Sequence, residues 1–393
     1  MTDDAGKAHL FPDLSLVEGG PLYRLGVALS LNGFFRPAVA LSMLAWLPLF
    51  LLSTVAGTLS GGVDVPFLDS YGTHARYLLA LPLLFAAEWR ADPQFRRLVG
   101  HLVSSRLVRP AEMDEFGNIV RSTLRLRDSA IAEAALVAIV IFVAVIGGGF
   151  DPSSGLSSWR ARGATGEGGL TFAGWWATVV ALPMFQFLLG RWIWRVLIWW
   201  RFLWRFSRLD LQLVPTHPDR AGGLGYLGVV QGHFDVLCFA VSAVQAGIFA
   251  EEILFRGATL LSLWPLIVTL VVSVQVLFVG PTLVFSPRLM VLKRRGLREY
   301  GVLGMHYARD FEAKWVHGST THEEPFLGSS DIQSLADLAG GFEIIEGLHG
   351  VPFGRRLPLG LLIATVVPML ILLPVAYPEE HFLVEGLRLI IGL

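Results

Sequence analysis

One cysteine, Cys238, in 393 residues leaves no intrachain disulfide to form, and without a CxxC pair the chain lacks the common zinc and dithiol signatures. Charge is also scarce. Asp, Glu, Lys and Arg make up 16% of the residues, against about 25% in a soluble domain. The 31 basic and 32 acidic side chains nearly cancel, which gives no argument for a nucleic-acid partner, and none is expected. The first 36 residues carry Asp3, Asp4, Asp13 and Glu18 and no short apolar core behind a basic start, so no cleavable leader is expected. Nothing repeats at a fixed period, which gives no sign of a duplicated transporter half. What abounds is apolar surface: 53% hydrophobic residues and a mean hydropathy of +0.58 imply an all-α, polytopic transmembrane bundle facing a lipid bilayer.

A bilayer core of about 30 Å takes about 20 helical residues. Seven stretches satisfy that length, near Pro37–Leu59, Phe67–Trp89, Ser129–Ile146, Thr171–Gly190, Tyr226–Ala250, Thr259–Phe285 and Leu357–Tyr377. The second is the least apolar, because Arg76 and Glu88 leave only the run Tyr77–Ala87 between them. With the N-terminus inside, 26 of the 31 basic residues fall in cytoplasmic segments, as the positive-inside rule expects; omitting the second span destroys the pattern. The layout expected is a cytoplasmic segment 1–36, spans one to six over 37–285 with a cytoplasmic loop of amphipathic helices at 90–128, a cytoplasmic insert 286–356, and a last span with an outer-interface C-terminus, 357–393. An eighth, partial membrane segment at 378–393 is the alternative.

Outside the lipid, the insert is the longest soluble part, and Ser330 is placed to cap a helix beginning at Asp331. The Gly- and Ser-rich stretch 147–169 reads as an external connector without chemistry. The run RWIWRVLIWWRFLWRFSR after the fourth span alternates Arg with Trp. A charged sensor helix is one reading, but the arginines share no face, so interfacial anchoring with snorkelling arginines is preferred.

Three constellations are candidates for function. Along the fifth span Gln231, Asp235, Cys238, Ser242, Gln245 and Glu252 recur at steps of three, four and seven, on one slowly winding stripe. It is either a packing seam or a conduction path. On the path reading Asp235 is the charge-selecting group, His233 tunes it, Gln231, Ser242 and Gln245 replace lost hydration, and Glu252 guards the outer mouth. The segment Thr216–Gly228 next offers His217, Asp219, Arg220, Gly222 and Gly223 as an anion-binding turn or gate, or as a plain capped turn with Asp219 and Arg220 paired. With His233 and Asp235 it also holds two H-x-D pairs, a weak metal signal, so the metal content is left unknown. The third is Glu251, Glu252 and Arg256 in AEEILFRG, which resembles the first motif of the CAAX-processing intramembrane proteases, where such carboxylates activate water or ligate metal. The second and third motifs of that family, which carry its histidines, are missing.

The chain also resembles a set of bacterial polytopic membrane proteins that pair an HPDxxGGLG loop, here His217–Gly225, with a DIQSLADL segment, here Asp331–Leu338. That resemblance implies the bacterial inner membrane and raises the expectation that the two segments meet. The order of function classes is an ion or small-solute channel or transporter first, a signalling or scaffold protein acting through its insert second, and a membrane hydrolase third. No cofactor is expected. The partners expected are the bilayer, an ion or small solute, a cytoplasmic protein, and further copies of the chain as a homo-oligomer.

Overall fold

A computed structural model describes residues 13–21, 23–24, 35–147, 156–161, 169–318 and 330–377. Among them the chain is helical, with only three isolated bridge pairs. The long helices are α1 (Phe35–Val55), α2 (residues 71–104), α3 (Met113–Arg127), α4 (Ala130–Gly147), α5 (Phe172–Phe206), α6 (Tyr226–Arg256), α7 (Leu260–Val316), α8 (Ser330–Glu346) and α9 (Arg356–Ala376). Five of them, α1, α5, α6, α7 and α9, are long and apolar enough to cross a membrane. A sixth arises if Pro110–Arg127 and Ala130–Val145, bent by 41°, count as one span. The chain is therefore a multi-pass membrane protein. Seven spans were expected; the second of them lies within α2, which is outside the five, and the third is α4, which counts only as part of that bent pair. Residues 378–393 and most of 147–169 lie outside the described set.

The helices follow a membrane pattern rather than a soluble one. In α1 the buried positions include Ala38, Ser42, Ala45, Leu49 and Ser53, while Leu44, Leu47 and Leu51 are exposed. Small residues thus face neighbouring helices and large apolar ones face outward, as close helix packing in lipid requires. Gly72 in α2 and Gly247 in α6 mark the tightest crossing: a Cβ on Gly247 would stand 2.8 Å from the Tyr71 carbonyl and 2.9 Å from Gly72 Cα.

Of the tryptophans in the Arg–Trp run, Trp204 is exposed with Arg208 on its ring, and the others are held inside the bundle. Trp192 and Trp199 are buried, and their ring N–H groups donate to the Leu84 carbonyl (3.1 Å) and to Gln231 Oε1 (2.6 Å). Trp194 and Trp200 donate to the carbonyls of Leu126 and Leu277. Arg195 is also buried instead of snorkelling, paired with Glu88 of α2 at 2.5 Å. A buried guanidinium needs a counter-charge, and α2 supplies it; the pairing was not readable from one segment alone.

The connections gather at the two ends of α6. At the glutamate end, Val65 bridges to Ser158, and the Thr171 hydroxyl donates to the Trp159 carbonyl while accepting from the Gly174 amide. At the hairpin end, Val108 bridges to Leu211, Arg109 pairs with Asp210, and the His349 amide donates to the Arg220 carbonyl. Here α7 runs on from its apolar half through Val316, and α8 packs back along it. The expected insert is thus a helical hairpin continuous with a membrane helix, and its second helix begins at Ser330.

Candidate functional site

The fifth-span stripe is broken at its start. Gln231 lies in Tyr226–Gly232, a short helix separated from Asp235–Arg256 by a turn at His233 and Phe234, so the two segments are not one straight face. Gln231 is fully buried in an aromatic cluster. Its amide accepts from Trp199 and donates to the Phe278 carbonyl. Around it Phe234 stands 4.9 Å from Phe278 and Phe95 5.0 Å from Trp199, centroid to centroid. Ser242, also fully buried, donates to the Thr365 carbonyl.

These acceptors have a common cause. Phe278 and Leu277 precede the turn Gly280–Phe285, where Pro281 removes an amide, and Thr365 precedes Val367–Ile371 with Pro368. Where a helix tightens or meets proline, carbonyls lose their partners, and in lipid they must find others within the protein. Gln231, Trp200 and Ser242 supply them.

Asp235 is half-exposed at the hairpin side and pairs with Arg90 at 3.0 Å. His233 does not touch it; its Nδ1 lies 2.8 Å from the Val229 carbonyl. Gln245 is half-buried, and Glu252 pairs with Arg256 one turn on at 3.1 Å.

The loop at Thr216 is organised by Asp219. Its carboxylate accepts the amides of Ala221 (2.8 Å), Gly223 (3.1 Å) and Gly225 (2.8 Å), and His217 Nδ1 lies 2.8 Å from Oδ1. Burial pushes the Asp219 pKa up, but those amides and His217 outweigh it and hold the carboxyl below its ordinary value. The nest of amides is thus filled by the chain's own anion. Gly222 and Gly223 have positive φ, as the turn requires, and so does Arg220, at 52°. Arg220 does not pair with Asp219. Its side chain lies against Gly347 just beyond α8, where an added Cβ would stand 3.3 Å from Arg220 Cζ. The loop and the α8 hairpin therefore meet, at the C-terminal end of that helix.

At the glutamate end the structure assembles residues that the sequence leaves scattered. A cavity of about 100 Å³ is lined by Ser70, Thr73 and Arg76 of the α2 region, by Ser158, Trp159 and Arg160, and by Glu251, Glu252 and Arg256 of α6. Glu251 Oε1 accepts the Gly72 amide at 2.7 Å and the Ser70 hydroxyl at 3.2 Å. Arg76 sits in the π-turn Ala75–Ala80, a widened turn that re-aims its side chain; its guanidinium lies 5.8 Å from the Phe185 ring centre and 5.9 Å from that of Tyr77. Arg160 stacks on Trp159 at 5.4 Å. The stretch expected to hold no chemistry thus forms one wall. Arg76 and Glu251 had a signal in the sequence, as charges inside apolar runs; Ser158 and Arg160 had none.

No histidine lines this cavity, and among the described residues no group of three His, Cys, Asp or Glu side chains could hold a metal ion. No family model, curated protein or solved structure matches the chain.

Proposed function

We propose that the chain is a small-solute transporter of the bacterial inner membrane, with seven crossings, its N-terminus in the cytoplasm and the glutamate end outward. Segregation supports this orientation: segments expected outside meet at the glutamate end, and segments expected inside meet at the hairpin end. The observation that carries the functional reading is the charged cavity itself. Three arginines and two carboxylates face about 100 Å³ of space at the end of a membrane helix. Burying such groups is costly without a ligand or mutual pairing, so intramembrane charge marks solute pathways. The excess of cations fits a small anion or a solute bearing a carboxylate.

Discontinuous helices support transport over a fixed receptor, since transporters rock about such breaks. Helix α6 breaks at His233–Phe234, and the helices around the cavity and below it change winding at Ala75–Ala80, Ala177–Ala181, Gly280–Phe285 and Val367–Ile371. The aromatic cluster around Gln231 closes the inner side in this state. A second reading, a receptor that signals inward, is favoured by one observation: α7 is continuous from the membrane into the hairpin.

Uptake of chloride, phosphate and small carboxylates into proteoliposomes tests the proposal, run beside Arg76→Gln. Saturable uptake lost in the variant supports it. Solute binding by isothermal titration calorimetry without any uptake moves the reading to a receptor, and neither binding nor uptake sinks both.

A further inference from the structure

Between α4 and α5 lies an apolar groove of about 660 Å³, within the range of about 300–1,000 Å³ that ligand sites occupy. Its walls are aliphatic, with Ile131, Ile139 and Val143 on one side and Ile193 and Leu197 on the other, all exposed. The helices touch at its floor, where a Cβ on Gly190 would stand 3.2 Å from Leu136 Cδ2.

Toward the hairpin end the groove adjoins a smaller recess lined by Arg127, Glu133, Arg191 and Arg195, and Leu136 and Trp194 belong to both. Arg127 is committed to Asp128 and Arg195 to Glu88. Arg191 is half-buried and makes no hydrogen bond or ion pair with any described residue. A second polar group is also unanswered: Gln186, which lines the groove, has a buried Oε1 without a partner. The two ends of an amide are distinguished only by their neighbours, so its NH2 can equally face the groove.

We infer that this groove holds one anionic phospholipid, with its phosphate on Arg191 and one acyl chain along α4 and α5. That occupant answers each feature. Its phosphate pairs with the uncommitted guanidinium, an ester carbonyl accepts from Gln186, about 7 Å deeper at 1.5 Å per residue, and its chain continues past Ile139 and Val143. Arg127 and Arg195 are already neutralised by Asp128 and Glu88, so Arg191 is the recess cation left for a phosphate, and the two headgroups of the test separate an anionic from a zwitterionic occupant.

The full-length protein, reconstituted with equal phosphatidylglycerol and phosphatidylethanolamine and then washed in detergent, would be weighed intact by native mass spectrometry. About one phosphatidylglycerol per chain should persist. Arg191→Gln should lower its retention about tenfold, as loss of one charge-assisted contact implies, and Arg191→Lys should restore most of it. Ala135→Phe, which fills the groove, should remove retention of either lipid while leaving helical content and monodispersity unchanged. Equal retention of both headgroups, or retention indifferent to Arg191→Gln, would mean only a general lipid shell and overturn the inference, whatever the folding of Ala135→Phe.

Discussion

Asp219 and Glu251 are both partly buried carboxylates that accept backbone amides beside glycines, and they differ in how fully they are occupied. Asp219 takes three amides and lies against His217. Glu251 takes one amide and one hydroxyl on Oε1, no described residue is hydrogen-bonded to its Oε2, and the residue lines a cavity. An ionised carboxylate offers about four lone-pair sites. One of these groups spends its sites on building a loop; the other has sites that no described residue takes. Acidic residues near a membrane face are thus sorted by saturation rather than by position.

The sharpest test of that contrast is Asp219→Ala. Three amides lose a charged acceptor at once, and at about 1.5–3 kcal/mol for a hydrogen bond to a charged group the loss should be about 3 kcal/mol or more. Thermal unfolding in detergent reads it. The pH dependence has a definite sign. Because the folded pKa of Asp219 lies below its ordinary value, its contribution is complete above about pH 4 and drains away as pH falls through the folded value. Asp219→Asn should flatten the acid limb of the stability profile; an unchanged acid limb would break the comparison.

Next in size is Gly247→Ala. The added methyl meets the Tyr71 carbonyl and Gly72 Cα, both backbone atoms, so the helices must separate, at a cost of about 1–3 kcal/mol. Separation also pulls the Gly72 amide from Glu251, so solute binding should fall with stability. Stability lost with binding intact would show that the cavity does not depend on this crossing.

Legibility in the sequence followed the range of the interaction. Apolar runs are local, so the helical membrane class was plain, whereas the turns at Pro281 and Pro368 fall inside the expected sixth and seventh spans. The stripe residues Gln231 and Ser242 were visible as polar groups in an apolar run. That they satisfy carbonyls of α7 and α9 was not, because their partners lie 47 and 123 residues away. The cavity was the least legible part, since Arg160 and Glu251 come together only when α2, α6 and the Val65–Ser158 bridge are assembled. Motif spacing drew attention to Glu251, Glu252 and Arg256, and geometry replaced the missing histidines with arginines.

Glu251→Gln should cost under about 1 kcal/mol, because the amide oxygen still accepts from Gly72 and Ser70. It should nevertheless change which solutes bind, since the charge facing the cavity is gone. Isothermal titration calorimetry with chloride and acetate compares the two forms. A large stability loss would place Glu251 with Asp219 as a builder, and the contrast would collapse.

The smallest effect is expected at Asp235, a group suited by sequence to select charge on a pathway. Its pair with Arg90 is half-exposed on both sides, 49% and 31% for the two side chains, and such pairs contribute about 0–1 kcal/mol. Asp235→Asn should therefore shift unfolding only slightly, and less still at high salt, where screening already weakens the wild-type pair. Its consequence for transport separates two roles. A pairing residue leaves solute preference unchanged and loses its effect when Arg90→Gln is already present, because the cycle then has no interaction left to remove. Asp235→Asn that reselects the transported solute in the Arg90→Gln background would instead return Asp235 to the pathway, and with it the polar stripe of α6.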